Sequence, residues 1–593
     1  MHNPLSAIFE ALGSRRDFLK FVGTASASSA IMAWAANAIP ARAQSVAGPA
    51  DTILRGGPIL TMNDRMPRAQ AVAVKDGRVF AVGSLSEVEK LAGPETRTVD
   101  LQGRTLIPGF VDSHSHVFGI GFHASVANLL PAPDGEGNDI AALQRVLAAW
   151  DSGASSPLKK YGWIVGRGYD DSQLKEQRHP NRDDLDKVSK DKPILVIHQS
   201  GHLGAMNSKA LEVLGVTAAT ADPNGGVYRR RPGSREPDGV LEEAAQSSAR
   251  GKLIAQFDSE TNQALVRRGA DFVASYGYTT AQEGALSGKG VLEAFVAAAG
   301  ASALPIDIVA YPLILDDPGL IVTPLLGRKY SGRFRVGGGK LVIDGSPQGK
   351  TAWLTKPYFV PPPGQPNTYA GYPVATREQV TDAVLYAFSR RFQLLTHANG
   401  DAAIDLLIEA VRTAAKTNPE YKETRPVLIH GQVLREDQVD ALKGLGIFPS
   451  LFPMHTFYWG DWHRSSVLGP ERAENISPTG WVRARGMMFG THHDAPVASP
   501  DPMRVLSATV TRRTRSGQVL GPEQRVDAAT ALKAMTIWPA WQHFEEATKG
   551  SLEVGKLADF AILSADPTVV DPLEIAKIKV LETIKEGRSI YRT

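Results

Sequence analysis

Two histidines separated by one residue follow a short apolar run early in the chain. His114 and His116 come directly after the run 105–111 and its Asp-Ser pair. On an extended strand, residues i and i+2 lie on the same face, so both imidazoles could bind one cation. This ligand chemistry suits zinc or a similar first-row ion. Alone the pair is a weak signal, because such spacings often arise by chance.

Three further polar residues come after apolar, strand-like runs. His397 follows 392–396, His430 follows 426–429, and Asp494 follows 487–490 after three polar residues. Four histidines and one aspartate in such places are hard to attribute to chance. Active-site groups collect at the carboxyl ends of parallel barrel strands. We therefore predict a metal centre built from these five residues.

The elements that must position these residues alternate between apolar runs and helical segments. This pattern predicts an α/β fold, specifically a (β/α)8 TIM-type barrel at 106–525, with an insertion around 130–238 that is rich in Gly, Pro and charge. Short alternating strands occupy 44–105, and a final helical region with similar strands occupies 526–593. We expect both ends to build one small β-sandwich.

Composition limits the class of protein. The chain has 593 residues, of which 43% are hydrophobic and 21% charged, a globular balance. A formal net charge of +3 is too small to indicate a nucleic-acid or anionic-membrane partner. Cysteine is absent, which excludes disulfides and thiolate metal sites. Imidazole and carboxylate ligands are then the natural choice.

Residues 1–43 have the organisation of a removable export signal. A basic region, a short apolar stretch and an Ala-x-Ala sequence ending at Ala43 follow one another. Arg15 and Arg16, followed by Phe-Leu-Lys at 18–20, resemble a twin-arginine signal. This resemblance implies the twin-arginine export machinery as a partner and a periplasmic location. No later segment approaches the length of a stable membrane span.

Several runs together resemble the metal-dependent amidohydrolase superfamily. They are Gly-Phe-Val-Asp-Ser-His-Ser-His at 109–116, the two later strand-end histidines, Asp-Ala-Pro-Val at 494–497 and Gly-Lys-Leu-Ala-Asp-Phe at 555–560. The runs 198–208 and 340–346 are similar to its N-substituted formamide deformylase-like branch. The resemblance covers nearly the whole chain after the signal.

The resemblance implies two divalent metal ions, with zinc expected. His114, His116 and Asp494 would hold the more buried ion, and His397 and His430 the second. Carboxylated Lys340 would bridge both ions, and Lys350 is a competing candidate for that role. Glu283 is a further candidate metal ligand. Alternatively, it would support another ligand or form an ion pair. Asp494 would also pass a proton from the shared water to the leaving nitrogen.

The remaining candidates concern the substrate. His198 and His202 would form a substrate-facing wall or bond to the backbone. The aromatic run 452–463 contains His455 and Trp459, and predicts either an apolar or aromatic pocket in which His455 polarises a carbonyl, or a packed lid or subunit contact.

His492 and His493 depart from the family's Gly-Ser-Asp type of turn before Asp494. They would contact the substrate, adjust the proton affinity of Asp494 or serve only in packing.

These observations favour an exported hydrolase that cleaves the C–N bond of a small-molecule N-acyl or N-formyl amide rather than a peptide bond. A mononuclear deaminase or aminoacylase on the same fold is the first alternative. A non-catalytic periplasmic binding protein is the second. Homo-oligomerisation is left open.

Overall fold

The computed structural model describes residues 48–153, 155–362 and 364–593, so the predicted signal at 1–43 lies outside the described residues. The fold is α/β, as predicted. Its strands are β1 Thr52–Leu60, β2 Arg68–Lys75, β3 Arg78–Gly83, β4 Arg97–Asp100, β5 Thr105–Pro108, β6 Phe110–Val111, β7 Ala127–Asn128, β8 Ile164–Tyr169, β9 Ile194–His198, β10 Leu203–Met206, β11 Gly226–Arg230, β12 Pro237–Glu243, β13 Tyr278–Leu286, β14 Asp307–Pro312, β15 Phe334–Val336, β16 Gly338–Val342, β17 Gln393–Ala398, β18 Val427–His430, β19 Phe448–Leu451, β20 Gly490–Thr491, β21 Phe560–Leu563, β22 Val580–Lys585 and β23 Arg588–Arg592. Its α-helices are α1 Leu85–Glu89, α2 Val117–His123, α3 Ile140–Gly153, α4 Arg182–Asp186, α5 Ser208–Leu214, α6 Ala244–Ile254, α7 Ser259–Ala274, α8 Lys289–Gly300, α9 Arg377–Ser389, α10 Asp401–Ala415, α11 Glu436–Leu445, α12 Met454–Trp462, α13 Gly469–Ala473, α14 Thr479–Ala484, α15 Pro502–Thr511, α16 Ala528–Lys533 and α17 Ile537–Gln542.

Two parallel sheets carry the predicted metal ligands. One has the order β15-β14-β13-β6 and the other β16-β17-β18-β19-β20. A parallel bridge between Leu313 and Lys340 joins them. Within the described residues no ladder pairs β20 with β6, so the sheets are open and the predicted closed barrel is not confirmed. The register places His397 and His430 at the carboxyl ends of adjacent strands.

The predicted single strand at 105–111 is divided at Gly109. β5 pairs antiparallel with β21, whereas β6 pairs parallel with β13. A Cβ at Gly109 would lie 2.3 Å from Thr279 Cγ2, so only glycine fits where the chain passes between the two sheets. The strand β6, which leads to His114 and His116, therefore starts at the border of a third sheet.

That third sheet joins both ends of the described chain. Its order is β23-β22-β21-β5-β1-β2-β3, with β4 also paired to β1. The Asp76-Gly77 turn between β2 and β3 has positive φ at both positions, as a tight hairpin requires. A two-layer sandwich is not confirmed, and the predicted domain boundaries stay predictions.

A fourth sheet, of order β11-β12-β10-β9-β8-β7, lies mostly within the segment predicted as an insertion. β7 and the end of β12 fall outside 130–238. An apolar cluster of its own, which includes Leu143, Leu147 and Ile194, packs under this sheet. None of the helices in the described part of the chain is both long and apolar enough for a membrane crossing.

Candidate metal centre

His114, His116 and Asp494 converge at the ends of β6 and β20. Asp494 Oδ1 lies 3.1 Å from His116 Nε2 and 3.4 Å from His114 Nε2. One ligand atom from each residue lies within 4.8 Å of the others. Ligands bonded tetrahedrally to zinc at about 2.0–2.1 Å are roughly 3.3 Å apart. The three side chains can therefore bind one cation with little movement.

His397 and His430 form a second pair of ligands beside this triad. His430 Nε2 lies 3.1 Å from His397 Nδ1 and 3.9 Å from Asp494 Oδ2. His430 and Asp494 both have positive φ, at 74° and 52°, which is uncommon outside glycine. Such strained conformations are typical of functional sites, where neighbouring contacts hold them.

Lys340 lies against the triad. Its Nζ is 3.0 Å from His114 Nε2, and the residue is only 2% exposed. Burial lowers the pKa of Lys340 to about 7, although the charge of Asp494 opposes this. The competing Lys350 instead donates to Val360 O and Ser466 Oγ, both at 2.8 Å. Of the two lysines, Lys340 is therefore the one that contacts a predicted ligand.

The hydrogen bonds of His114 and His430 fit metal ligation. His114 Nδ1 lies 2.6 Å from Gln282 Oε1. His430 Nδ1 lies 3.1 Å from His492 Nε2. If each of these outer nitrogens donates its proton to that acceptor, the inner nitrogen keeps a lone pair, as metal-bound histidines usually do.

Burial also favours the neutral form of these histidines. It is the main cause that lowers the pKa of His114, His397 and His430 well below the usual range, and neighbouring positive groups add to the effect. Neutral imidazole is the form that binds metals. The donor set therefore suits two divalent cations.

His492 and His493 face different partners. His492 Nδ1 lies 2.9 Å from Ser450 Oγ, which donates to Ser113 Oγ at 3.0 Å. His492 thus connects His430 to Ser450 on β19 and, through it, to Ser113, two residues beyond β6. His493 lies apart from this chain of contacts, because its Nδ1 accepts the Ala495 N–H and its ring packs against Tyr278.

Helix α2 positions His116, which is its N-cap residue. A Cβ at Gly121 would lie 1.8 Å from Leu265 O, and one at Gly269 would lie 2.0 Å from Val117 O. Helices α2 and α7 therefore pack with their backbones in contact. Glu283 also holds α2, because its Oε2 accepts the Phe118 N–H at 2.7 Å, while its Oε1 is 4.0 Å from His116 Nδ1.

His202 and His198 occupy different positions near the ends of β9 and β10. His202 donates to Glu243 over 2.6 Å, and its ring centroid lies 5.2 Å from that of His397. His198 Nε2 lies 3.1 Å from Asp171 Oδ1 and 3.6 Å from Asp170 Oδ1.

The grouping of His198 with Asp170 and Asp171 resembles a second metal site. However, His198 Nδ1 accepts the Ser200 N–H at 3.1 Å, which leaves the imidazole proton on Nε2. His198 therefore presents a donor to the two carboxylates rather than a lone pair to a metal.

His455 and Trp459 lie in one aromatic cluster on α12. Their ring centroids are 4.7 Å apart, and Phe452 lies between His455 and His492. Trp459 is fully buried and donates to Asp170. Trp459 therefore packs in the interior against Asp170, next to His455.

Sequence reasoning missed four residues that hold the predicted ligands or their neighbours. They are Ser113, Gln282, Ser450 and His463, which lies 3.0 Å from His455 Nδ1. Ser113 and Gln282 sit directly beside predicted residues along the chain, so adjacency was the available signal. Ser450 and His463 had no local signal, because their partners come from other elements or lie eight positions away.

Comparisons with known proteins agree with this geometry. Residues 97–591 match the amidohydrolase family. The chain is 27% identical to the amidohydrolase YtcJ of Bacillus subtilis (strain 168), over 91% of this chain and 99% of that protein. It is also 27% identical to an N-substituted formamide deformylase of Arthrobacter pascens, over 91% and 97% of the two chains.

A solved structure of similar architecture is an uncharacterized metal-dependent hydrolase from Pyrococcus horikoshii OT3. It has a TM-score of 0.68 and 25% identity, and the match covers 88% of this chain and 99% of that chain. The match to the family spans both sheets that carry the ligands. The chain therefore belongs to the amidohydrolase family, within a superfamily of metal-dependent hydrolases.

Proposed function

We propose that the protein hydrolyses the C–N bond of an N-acyl or N-formyl amide that is not a peptide. The observation that carries this proposal is the convergence of His114, His116, His397, His430 and Asp494 around Lys340. The deformylase relative supports an amide as substrate.

Two divalent cations, zinc being the expected species, would be held by these residues. Bound there, they would polarise the substrate carbonyl and make a shared water acidic enough to ionise near neutral pH. We propose that Lys340 is carboxylated. Its burial favours the uncharged amine, which can add to carbon dioxide with loss of a proton. The resulting carbamate has two oxygens, enough to contact two cations.

Asp494 is proposed to move the proton. Its Oδ1 lies near His114 and His116 and its Oδ2 lies 3.9 Å from His430, so the carboxylate is within reach of a water placed between them. It accepts a proton from that water and delivers it to the nitrogen as the C–N bond breaks. This returns Asp494 to its starting state and lets the amine leave uncharged.

His455 is proposed to hold the substrate carbonyl. His463 Nδ1 is buried without a hydrogen-bond partner, and buried N–H groups without a partner are rare. The proton of His463 is therefore placed on Nε2, which donates to His455 Nδ1. His455 then carries its own proton on Nε2 and can donate to a carbonyl oxygen. His202, whose ring centroid lies 5.2 Å from that of His397, is proposed to face the substrate.

We also propose that the two parallel sheets act as one barrel and that the chain is exported by the twin-arginine route to the periplasm. The Leu313–Lys340 bridge supports the barrel. Replacing Arg15 and Arg16 by lysine should retain the protein in the cytoplasm. Unchanged recovery from the periplasmic fraction would contradict this route.

The direct test is metal content by elemental analysis, with Lys340→Ala measured beside the wild-type protein and a panel of N-acyl and N-formyl amines as substrates. We expect two metals per chain, fewer in Lys340→Ala, and release of a free amine. A protein with no metal, or with two metals and no amide hydrolysis, would contradict the proposal.

The second candidate is a mononuclear deaminase or aminoacylase. The compact His114–His116–Asp494 triad favours it, because these three ligands suffice for one cation. One metal per chain that is insensitive to Lys340→Ala would support this alternative. The same elemental analysis therefore separates the two candidates.

A further inference from the structure

Glu243 has a backbone conformation that glycine usually supplies. It is the last residue of β12 and the N-cap of α6, with φ 46° and ψ −111°. These angles are close to those of the first central position of a type II′ turn, where glycine predominates. A residue with a side chain is strained there, and such strain is concentrated at functional sites. The glutamate at position 243 therefore requires an explanation.

The helix that follows does not explain the glutamate. The side chain of Glu243 makes no capping hydrogen bond to the first turn of α6. Its Oε2 instead lies 2.6 Å from His202 Nδ1, whose N–H it accepts. Its Oε1 is buried and has no hydrogen-bond partner among the described residues. The hydrogen bond of this carboxylate is therefore directed at His202.

The chain leaves a fitted space for the carboxylate. Glu243 is only 5% exposed, and a Cβ at Gly345 would lie 2.2 Å from its Oε1. Glycine at position 345 thus keeps free the volume that the carboxylate occupies. The Glu243 N–H also donates to His202 O at 2.7 Å. Both the backbone and the side chain of Glu243 are therefore bonded to His202.

These features oppose stability when they are considered without His202. A buried carboxylate oxygen without a donor is costly, and the strained backbone adds to that cost. Glycine at position 243 would remove both. The fold alone therefore does not account for a glutamate at this position.

His202 has one ring edge on Glu243 and the other edge open. Its ring centroid lies 5.2 Å from that of His397, a predicted metal ligand. Within the described residues Nε2 makes no hydrogen bond, and the side chain is 21% exposed. A hydrogen bond at one ring nitrogen of histidine fixes the proton there and the direction in which the other nitrogen points. Glu243 therefore determines how Nε2 is presented.

We propose that Glu243 is a positioning residue, which orients His202 so that its Nε2 meets the substrate beside His397. This inference rests on the proposed amide hydrolysis. Glu243 acts through His202 and belongs to neither group of predicted metal ligands. Its removal should therefore weaken substrate binding and leave the metal content unchanged.

The kinetic test uses formanilide, an N-formyl amide, as the probe. Glu243→Gly should keep the wild-type metal content and a Tm no lower than wild type, because glycine relieves the backbone. Its kcat/KM should fall about ten- to a hundredfold, mainly through KM. Glu243→Gln should recover most of the loss, since its side-chain oxygen can accept from His202 Nδ1. Gln102→Gly is the matched control, because Gln102 is exposed and also has a positive φ, of 53°.

A double-mutant cycle tests whether Glu243 acts through His202. We expect Glu243→Gly to change kcat/KM by less than about twofold when it is added to His202→Ala. Additive losses in the double variant would overturn the inference. Wild-type kcat/KM in Glu243→Gly would also overturn it. A fall in Tm or metal content in both Glu243 variants would assign Glu243 a structural role instead.

Proton NMR with ¹⁵N-labelled histidine needs no turnover. The proton in the 2.6 Å bond between His202 and Glu243 should give a low-field resonance, because hydrogen bonds to carboxylates are short and strong. We expect this resonance in the wild-type protein and its loss in Glu243→Gly and His202→Ala. A resonance that persists in Glu243→Gly contradicts the positioning role. If it behaves as expected but formanilide and the amide panel are not hydrolysed, Glu243 holds His202 and only the proposed reaction fails.

Discussion

At the scale of single residues, the centre depends on which atom of each side chain carries a proton. Asp494 contacts both ligand groups, and its proposed task needs an oxygen that can accept a proton. Among the other ligands, His114 and His430 have hydrogen-bond acceptors at their outer nitrogens. Changes that preserve shape but alter proton position should therefore separate metal binding from turnover.

Asp494→Asn is expected to keep most of its metal and lose about 10²–10⁴-fold in kcat, because an amide cannot accept the proton. Metal analysis and single-turnover kinetics check this. Asp501→Asn is the matched control, since Asp501 caps α15 and asparagine caps helices equally well. Near-normal turnover in Asp494→Asn would rule out the assigned role.

His492 is expected to hold His430 in the protonation pattern that a ligand needs. Glutamine places an oxygen near the position of His492 Nε2, so His492→Gln should retain the second metal. His492→Leu should release one metal at about 10- to 100-fold lower chelator concentration. Chelator titration with metal analysis measures this. Equal loss in both variants, with unchanged Tm, would indicate a packing role instead.

At the scale of elements, the sequence was most informative where a ligand follows its own strand. The ends of β17 and β18 could be predicted because each apolar run ends directly at a histidine. The division at Gly109 could not, since β5 and β6 form one apolar run and only their partners differ. The role of α2 also had no signal, because its packing depends on a distant glycine in α7.

Gly269→Ala should destabilise the protein by about 1–3 kcal/mol, because the added methyl group pushes α2 away from α7. His116 moves with α2, so metal affinity should fall as well. Gly444→Ala on α11 is the control, as nothing lies within 4 Å of its added methyl group. Thermal unfolding and metal titration test this. An unchanged metal affinity would show that α2 does not control the position of His116.

At the scale of the whole molecule, a buried ion cluster connects the sheet of the chain ends to the parallel sheet. Asp307 on β14 lies 2.8 Å from Lys585 on β22 and 2.7 Å from Lys549. Lys585 also lies 2.7 Å from Asp559. Nothing local in the sequence predicts this cluster, because its members are far apart along the chain.

Asp307→Asn should cost about 3–5 kcal/mol, since it leaves buried lysines without their partner. Burial would raise the pKa of Asp307, but Lys549 and Lys585 outweigh it and hold that pKa well below its usual range. The contribution to stability is therefore present above about pH 4, the ordinary aspartate pKa. It is lost as pH falls through the lower folded value.

Denaturant unfolding of both proteins between about pH 2 and pH 7 measures this contribution. The stability difference between them should shrink at the acid end. Asp440→Asn, which removes an exposed partner of Arg485, should leave stability unchanged. A difference that stays constant with pH would contradict the proposed ionic contribution.

The pairing of β5 with β21 sets the order in which the protein can mature. β5 is followed after one residue by the strand that leads to His114 and His116, yet its partner is synthesised near the end of the chain. A nascent chain on the ribosome thus lacks the contact that anchors its first ligand strand. The ligand strand should therefore reach its final position only after translation of β21.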